Sequence, residues 1–220
     1  MSNLSMHPAL ANPAFYSAAE FRRRAQSQSG SPIETAAREH GDHLLNPDII
    51  THLEGITLKD AAVLVPVVND PEGARVILTK RTATLRKHSG QIAFPGGAVD
   101  PDDASVEAAA LREAEEEIGL SRTFVEPVGR LPDYFAATGF RITPVLSVVE
   151  RGFQLTPNPT EVDRVFEVPL AFLMDPANHN RGSREWNGTL RHFYEMPYGE
   201  WNIWGITAGI LRTLYERLYA

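Results

Sequence analysis

The segment from Ser105 to Gly119 constrains this chain more than any other. Ser105 to Ile118 has helical spacing, and Asp102 and Asp103 stand just before it, where negative charge suits the helix dipole. Gly119 suits the left-handed residue just past a helix end. On a helix, Glu113, Glu116 and Glu117 share an arc of about 100° while Glu115 points away. Leu111, Ala114 and Ile118 make an apolar stripe beside them. Such a helix must lay one side on a core and hold three carboxylates at the border of that contact.

Three carboxylates on one stripe repel one another, each i, i+3 or i, i+4 pair by about a few tenths of a kcal/mol. A solvated acidic face is the ordinary meaning of such a stripe. Two local facts point further. The stripe lies toward the helix C-terminus, where the dipole disfavours negative charge. It also follows Phe94-Pro95-Gly96-Gly97, a loop that lets backbone approach a bound ion closely. A hard divalent cation turns the repulsion into attraction, and Mg²⁺ and Mn²⁺ favour such oxygen ligands. The chain has no cysteine, which excludes disulfides, thiolate metal sites and a cysteine nucleophile and leaves oxygen or imidazole as metal ligands.

With 21 Lys+Arg against 28 Asp+Glu, the net charge is −7. That balance argues against a nucleic-acid partner held by bulk charge. No apolar run approaches a membrane span, and the N-terminus lacks the basic-then-apolar pattern of a secretion signal. A cytoplasmic protein with a small-molecule partner is expected, and a homodimer is compatible with the sequence.

Residues 1–50 read as an arm packed on the domain, with a short helix over Ser17–Gln26 and looseness near 27–32. Residues 51–220 read as the domain itself. Ala61–Val68 and Arg75–Thr79 suit strands joined by a turn at Asn69–Gly73. A loop is expected from Lys80 to Gly97. Strands are expected over Val128–Tyr134, Ile142–Val149 and Val165–Leu170, then a helical turn near Phe172–Met174 and a hairpin of Thr189–Glu195 with Trp201–Trp204. Ile206, Ile210, Leu211, Leu214 and Leu218 give a C-terminal helix. Many strands with two or three helices suggest a mixed α+β or α/β/α domain.

The run Arg112-Glu113-Ala114-Glu115-Glu116-Glu117-Ile118-Gly119-Leu120 resembles the second half of the Nudix hydrolase box, which here extends from Gly97 to Leu120. The first half departs from the family: Asp103 stands where a Glu is usual, and eight residues instead of seven separate it from Arg112. The stretch from Leu78 through Lys80-Arg81-Thr82 and Leu85-Arg86-Lys87-His88 to Gly97 looks like the additional motif of the coenzyme A pyrophosphatase branch. Members of that branch also carry the longer spacing and the Asp.

This resemblance implies a Nudix fold, an α/β/α sandwich with a mixed β-sheet between helices. It implies hydrolysis of the pyrophosphate bond of coenzyme A (CoA) or acyl-CoA, with Mg²⁺ or Mn²⁺ as cofactor. Glu113, Glu116, Glu117 and the Gly96 carbonyl are the implied metal ligands, and Arg112 would orient the carboxylates. Glu116 and Glu161 are the candidates for a catalytic base. The cations Lys80, Arg81, Arg86 and His88 would meet the phosphates, Arg81 and Arg86 bidentately. Tyr134, Phe135, Phe140 and Tyr194 are candidates to stack on adenine, against the commoner role of aromatic residues as sheet core. ADP-ribose or NADH as substrate, or a Nudix-fold binding module without catalysis, are the rival readings.

Overall fold

The structure is a computed structural model and describes residues 13–30, 33, 40–83, 90–186 and 188–220. In chain order its elements are α1 (Ala18–Ala25), α2 (Ile49–Glu54), β1 (Lys59–Val68), β2 (Arg75–Arg81), β3 (Ile92–Ala93), β4 (Gly96–Ala98), α3 (Val106–Ile118), β5 (Val125–Arg130), β6 (Tyr134–Ala136), β7 (Phe140–Val149), β8 (Val162–Pro169), α4 (Leu170–Leu173), β9 (Asn180–Trp186), β10 (Thr189–Tyr198), β11 (Trp201–Trp204) and α5 (Ile206–Leu218).

The centre is the parallel pair β1–β7, in register from Lys59↔Phe140 to Val68↔Val149. Both faces of this pair are covered, so its sequences are near-continuous apolar runs without polar alternation. Ala62, Leu64 and Val68 pack toward α3 with Val145 and Val149. Ala61, Val65 and Val67 pack toward α5 and α1 with Leu146 and Val148. The strand period of two thus divides one apolar run between two cores. Antiparallel strands β2, β8 and β3 extend the sheet on one side, and β5 and β6 extend it on the other. The result is the expected mixed sheet between helices. Among the described residues no helix is long and apolar enough to cross a membrane.

One irregularity makes room for a site. β1 and β2 pair only at Val67↔Val76 and Val68↔Arg75. Where they part, β4 fills the place beside β1, with Ala61↔Ala98, Ala62↔Gly97 and Val63↔Gly96. Leu64 N–H donates to the Pro95 carbonyl at 2.8 Å. Gly96 has φ 155°, and a Cβ there would stand 2.4 Å from the Ala62 carbonyl oxygen, so only glycine fits. The expected loop from Lys80 to Gly97 is therefore partly sheet: it contains the end of β2, β3 and β4.

Two other expectations are corrected. The single strand expected over Val128–Tyr134 is split into β5 and β6. Pro132 has no N–H to give to a ladder, and the Leu131 N–H turns to the Pro144 carbonyl at 3.0 Å. Strand β9 has no counterpart among the expected elements. Its sequence, Asn-Arg-Gly-Ser-Arg-Glu-Trp, has no apolar alternation, yet it pairs along its length with β10, outside the main sheet.

The described part of the N-terminal arm is built into the structure. Ser17 caps α1 by accepting the Glu20 N–H at 3.2 Å. Phe21 is fully buried against α5 and the sheet, a burial worth roughly 1.5–3 kcal/mol. Arg24 lies over the Phe15 ring at 4.2 Å and donates to the Leu218 carbonyl at 2.7 Å. In the stretch read as loose, Gln28 and Ser29 bond to the Arg130 and Arg217 carbonyls, and residues 31 and 32 lie outside the described residues.

Candidate active site

Helix α3 begins at Ser105, whose hydroxyl accepts the Ala108 N–H at 3.2 Å, an ordinary N-cap. It ends at Gly119, left-handed at φ 69°. The last-turn carbonyls are taken up by a loop that returns after β7: Thr156 N–H donates to Ile118 and Asn158 N–H to Glu117, each at 2.8 Å. That loop satisfies the helix end and brings Glu161, half-buried, to the carboxylates.

The three glutamates stand in different surroundings. Glu117 is 2% exposed. It accepts the Gly96 N–H at 3.2 Å and an Arg81 guanidinium N–H at 3.3 Å. Burial pushes its carboxyl up to about 7; Gly96 and Arg81 pull against that, and Glu113 and Glu161 add to it. Glu113 is also pushed up by burial, with Arg112 opposing. A Cβ on Gly97 would lie 2.6 Å from the Glu113 carboxyl group. Glu116 is the exposed member, its side chain 59% accessible.

Arg112 ties these groups together. One side of its guanidinium holds Asp103 bidentately at 3.1 and 2.9 Å. Its Nη1 donates to Glu113 at 2.9 Å and to Glu116 at 3.0 Å, and its Nη2 also reaches the Ala98 carbonyl at 3.2 Å. Asp103 in turn accepts the Asp100 N–H at 2.9 Å; Arg112, and then that N–H, hold its carboxyl below the usual range. In the sequence Asp103 stands out as charge suited to the helix dipole and as a departure from the box. The signal was its position, and its task, to aim Arg112, needed the turn at 100–103 to be seen.

The structure brings together Gly96, Arg81, Arg112, Glu113, Glu116, Glu117 and Glu161. It sets Lys80 apart. Neighbours on a strand face opposite ways, so Arg81 turns toward α3 while Lys80 turns to the other face. There Lys80 pairs with Asp163 at 2.9 Å, 5.9 Å from the Trp201 ring centre. Arg86 and His88 lie outside the described residues. Of the aromatic candidates, Tyr134 and Phe135 are buried, and the Tyr134 hydroxyl donates to Asp42 at 2.7 Å, a core role. Phe140 and Tyr194 also pack on that core.

Among the described residues, no three carboxylate or imidazole groups converge as a ready-made cage for a cation. Arg112 holds oxygens of Glu113 and Glu116, and Gly96 and Arg81 hold those of Glu117. The donor set itself suits a hard divalent ion, being carboxylate and backbone oxygen only. The buried Glu117 carboxylate would also gain from a cation.

The NUDIX domain family model matches residues 58–187, from the start of β1 to the end of β9. The chain belongs to the Nudix family. It is 46% identical over 164 residues to a protein of Cronobacter sakazakii named "Uncharacterized Nudix hydrolase NudL", covering 71% of this chain and 81% of that one. A protein of the same name from Shigella boydii serotype 4 is 42% identical over 171 residues, 78% of this chain and 88% of that one. Among solved structures, a NUDIX hydrolase from Alicyclobacillus acidocaldarius is 17% identical with TM-score 0.46, covering 72% of this chain and 91% of that one. The Nudix fold implied by the resemblance is the fold of this chain, as the family match over residues 58–187 shows. It is a Nudix hydrolase, an enzyme acting on small-molecule nucleoside diphosphate derivatives. Nudix hydrolases generally use divalent metal ions.

Proposed function

We propose that this Nudix hydrolase cleaves the pyrophosphate bond of coenzyme A and its thioesters, giving 3′,5′-adenosine bisphosphate and 4′-phosphopantetheine or its acyl form. The observation that carries this reading is the junction of two motifs at one point. Arg81, from the upstream motif that resembles the coenzyme A branch, contacts Glu117 of the Nudix helix. Cation-binding carboxylates and a phosphate-binding guanidinium thus share one site, as a pyrophosphate substrate requires.

Glu113, Glu116, Glu117 and the Gly96 carbonyl would hold Mg²⁺ or Mn²⁺. Such an ion supplies neutralisation of the diphosphate and a lowered pKa for the attacking water. The chain supplies the rest. Arg112, fixed by Asp103, orients the carboxylates of Glu113 and Glu116. Burial of Glu117 keeps water from competing for its oxygens. Arg81 meets the anionic diphosphate, and Glu161 or Glu116 takes the proton of the attacking water, each being on the rim of the cluster.

The test is product identification with CoA, acetyl-CoA, ADP-ribose and NADH, with and without Mg²⁺ or Mn²⁺. Metal-dependent release of 3′,5′-adenosine bisphosphate is expected. ADP-ribose turned over as well as CoA, or better, would overturn the coenzyme A assignment. Glu116→Gln should remove most activity and leave the fold intact; full activity in that variant would overturn the metal-site assignment.

A further inference from the structure

We propose that Trp201, Phe166, Lys80 and Arg164 form the subsite for the nucleoside end of the substrate, a purine nucleoside carrying an additional phosphate on its ribose. This rests on the pyrophosphatase reading above and names residues outside its catalytic cluster. Phe166 and Trp201 stack with ring centres 4.6 Å apart and planes 16° from parallel. Phe166 covers one face of the indole, and Trp201 remains partly exposed. An indole fixed in this way is a prepared platform for a flat base, because stacking on it orders no further side chain.

The cations beside the platform follow from strand register. Lys80 is paired with Arg164 and Leu78 with Phe166, so Arg164, Phe166 and Lys80 lie on one face of the sheet, opposite α3. The Lys80 charge is met by Asp163 at 2.9 Å. Arg164 is exposed, and among the described residues its side chain makes no ion pair or hydrogen bond. It stands two residues from the Phe166–Trp201 stack with a fork suited to a phosphate. A base with a phosphate on its sugar matches this pairing of aromatic plane and available guanidinium; a neutral nucleoside would leave Arg164 unused.

The platform adjoins the catalytic cluster along two strands. In β2, Arg81 reaches Glu117 and its neighbour Lys80 faces the platform. Just before β8 stands Glu161, whose carbonyl accepts the Thr82 N–H at 2.9 Å, while Asp163, two residues on, holds Lys80. The register of β2 and β8 shifts between Lys80 and Arg81, at the point where the two faces are one residue apart. A diphosphate on the α3 side and a nucleoside over Trp201 would be joined around the end of this strand pair.

The experiment compares wild type, Trp201→Ala, Trp201→Phe and Arg164→Ala. It measures steady-state kinetics with CoA and with CoA lacking its 3′-phosphate, and calorimetric binding of 3′,5′-adenosine bisphosphate. Trp201→Ala should raise KM for both substrates by about tenfold with little change in kcat, and weaken bisphosphate binding alike. Trp201→Phe should recover most of the loss. Arg164→Ala should raise KM several-fold for CoA and leave the substrate lacking the 3′-phosphate unchanged. Bisphosphate affinity within twofold of wild type in both alanine variants would overturn the subsite, as would an equal penalty on both substrates in Arg164→Ala. A wild type that binds the bisphosphate in a Trp201-dependent way but does not cleave CoA would overturn the proposed reaction and leave the subsite standing.

Discussion

Replacing Glu117 with glutamine should stabilise the metal-free protein while abolishing its metal-dependent activity. The unfolded chain exposes Glu117 to water, where its ordinary value is 4.5, and the fold buries it and pushes it up to about 7. The folded state therefore binds the proton more tightly than the unfolded state. Below pH 4 both states are protonated and the carboxyl costs nothing extra. As pH rises from about 4.5 to about 7 the unfolded chain loses the proton first, and stability falls; above that window the loss is complete. Each tenfold change in proton affinity is worth about 1.4 kcal/mol, so the full cost of ionised Glu117 is about 3 kcal/mol. The glutamine side chain would carry none of it and would keep the acceptor for the Gly96 N–H. Urea denaturation in EDTA should show the two proteins equally stable near pH 4 and the variant more stable by about 2–3 kcal/mol at pH 8. A variant less stable than wild type at pH 8 in EDTA would refute the assignment of a burial cost to this carboxyl. With saturating Mn²⁺ the order should reverse, because only wild type gains from binding the ion.

Three further outcomes follow from the same geometry. Arg112→Lys keeps the charge but cannot hold Asp103 bidentately while reaching both glutamates, so metal-dependent turnover should fall by about 10–100-fold with the circular dichroism spectrum unchanged; wild-type turnover would refute the orienting role. Gly96→Ala must place a Cβ against the Ala62 carbonyl at a φ that disfavours side chains, so chemical denaturation should report a loss of at least about 2 kcal/mol. Phe21→Ala should cost about 3–5 kcal/mol in the same assay if α1 is part of the core; a loss under about 1 kcal/mol would mean that the arm contributes little.

The parts of this site legible in the sequence are those fixed by local periodicity. The 3.6-residue turn alone puts Glu113, Glu116 and Glu117 on one side of α3, and Gly119 alone marks its end. Arg112, on the same turn of α3, donates to Glu113 and Glu116. What could not be read depends on where strands begin and stop. Lys80 and Arg81 look like one basic cluster until β2 is known to run through both, after which alternation sends them to opposite faces. The hold of Asp103 on Arg112 depends on a turn without periodic signal. Strand β9 escapes because exposed ladder pairing needs no apolar side chains, and apolar spacing is what reveals strands.

The helices on the α5 side of the sheet reach beyond the stretch by which the family is recognised. The family match spans 58–187, whereas α1 lies before it and β10, β11 and α5 lie wholly after it. A protein trimmed to those limits would keep every glutamate of α3 and the Gly96 turn. It would also strip α1, β10, β11 and α5 from the core that holds Val65, Val67, Leu146, Val148 and Tyr134. Such a fragment is expected to associate or precipitate instead of working as a smaller enzyme. Soluble expression of this catalytic apparatus therefore needs α1 and the segment from β10 to α5 together with the family stretch.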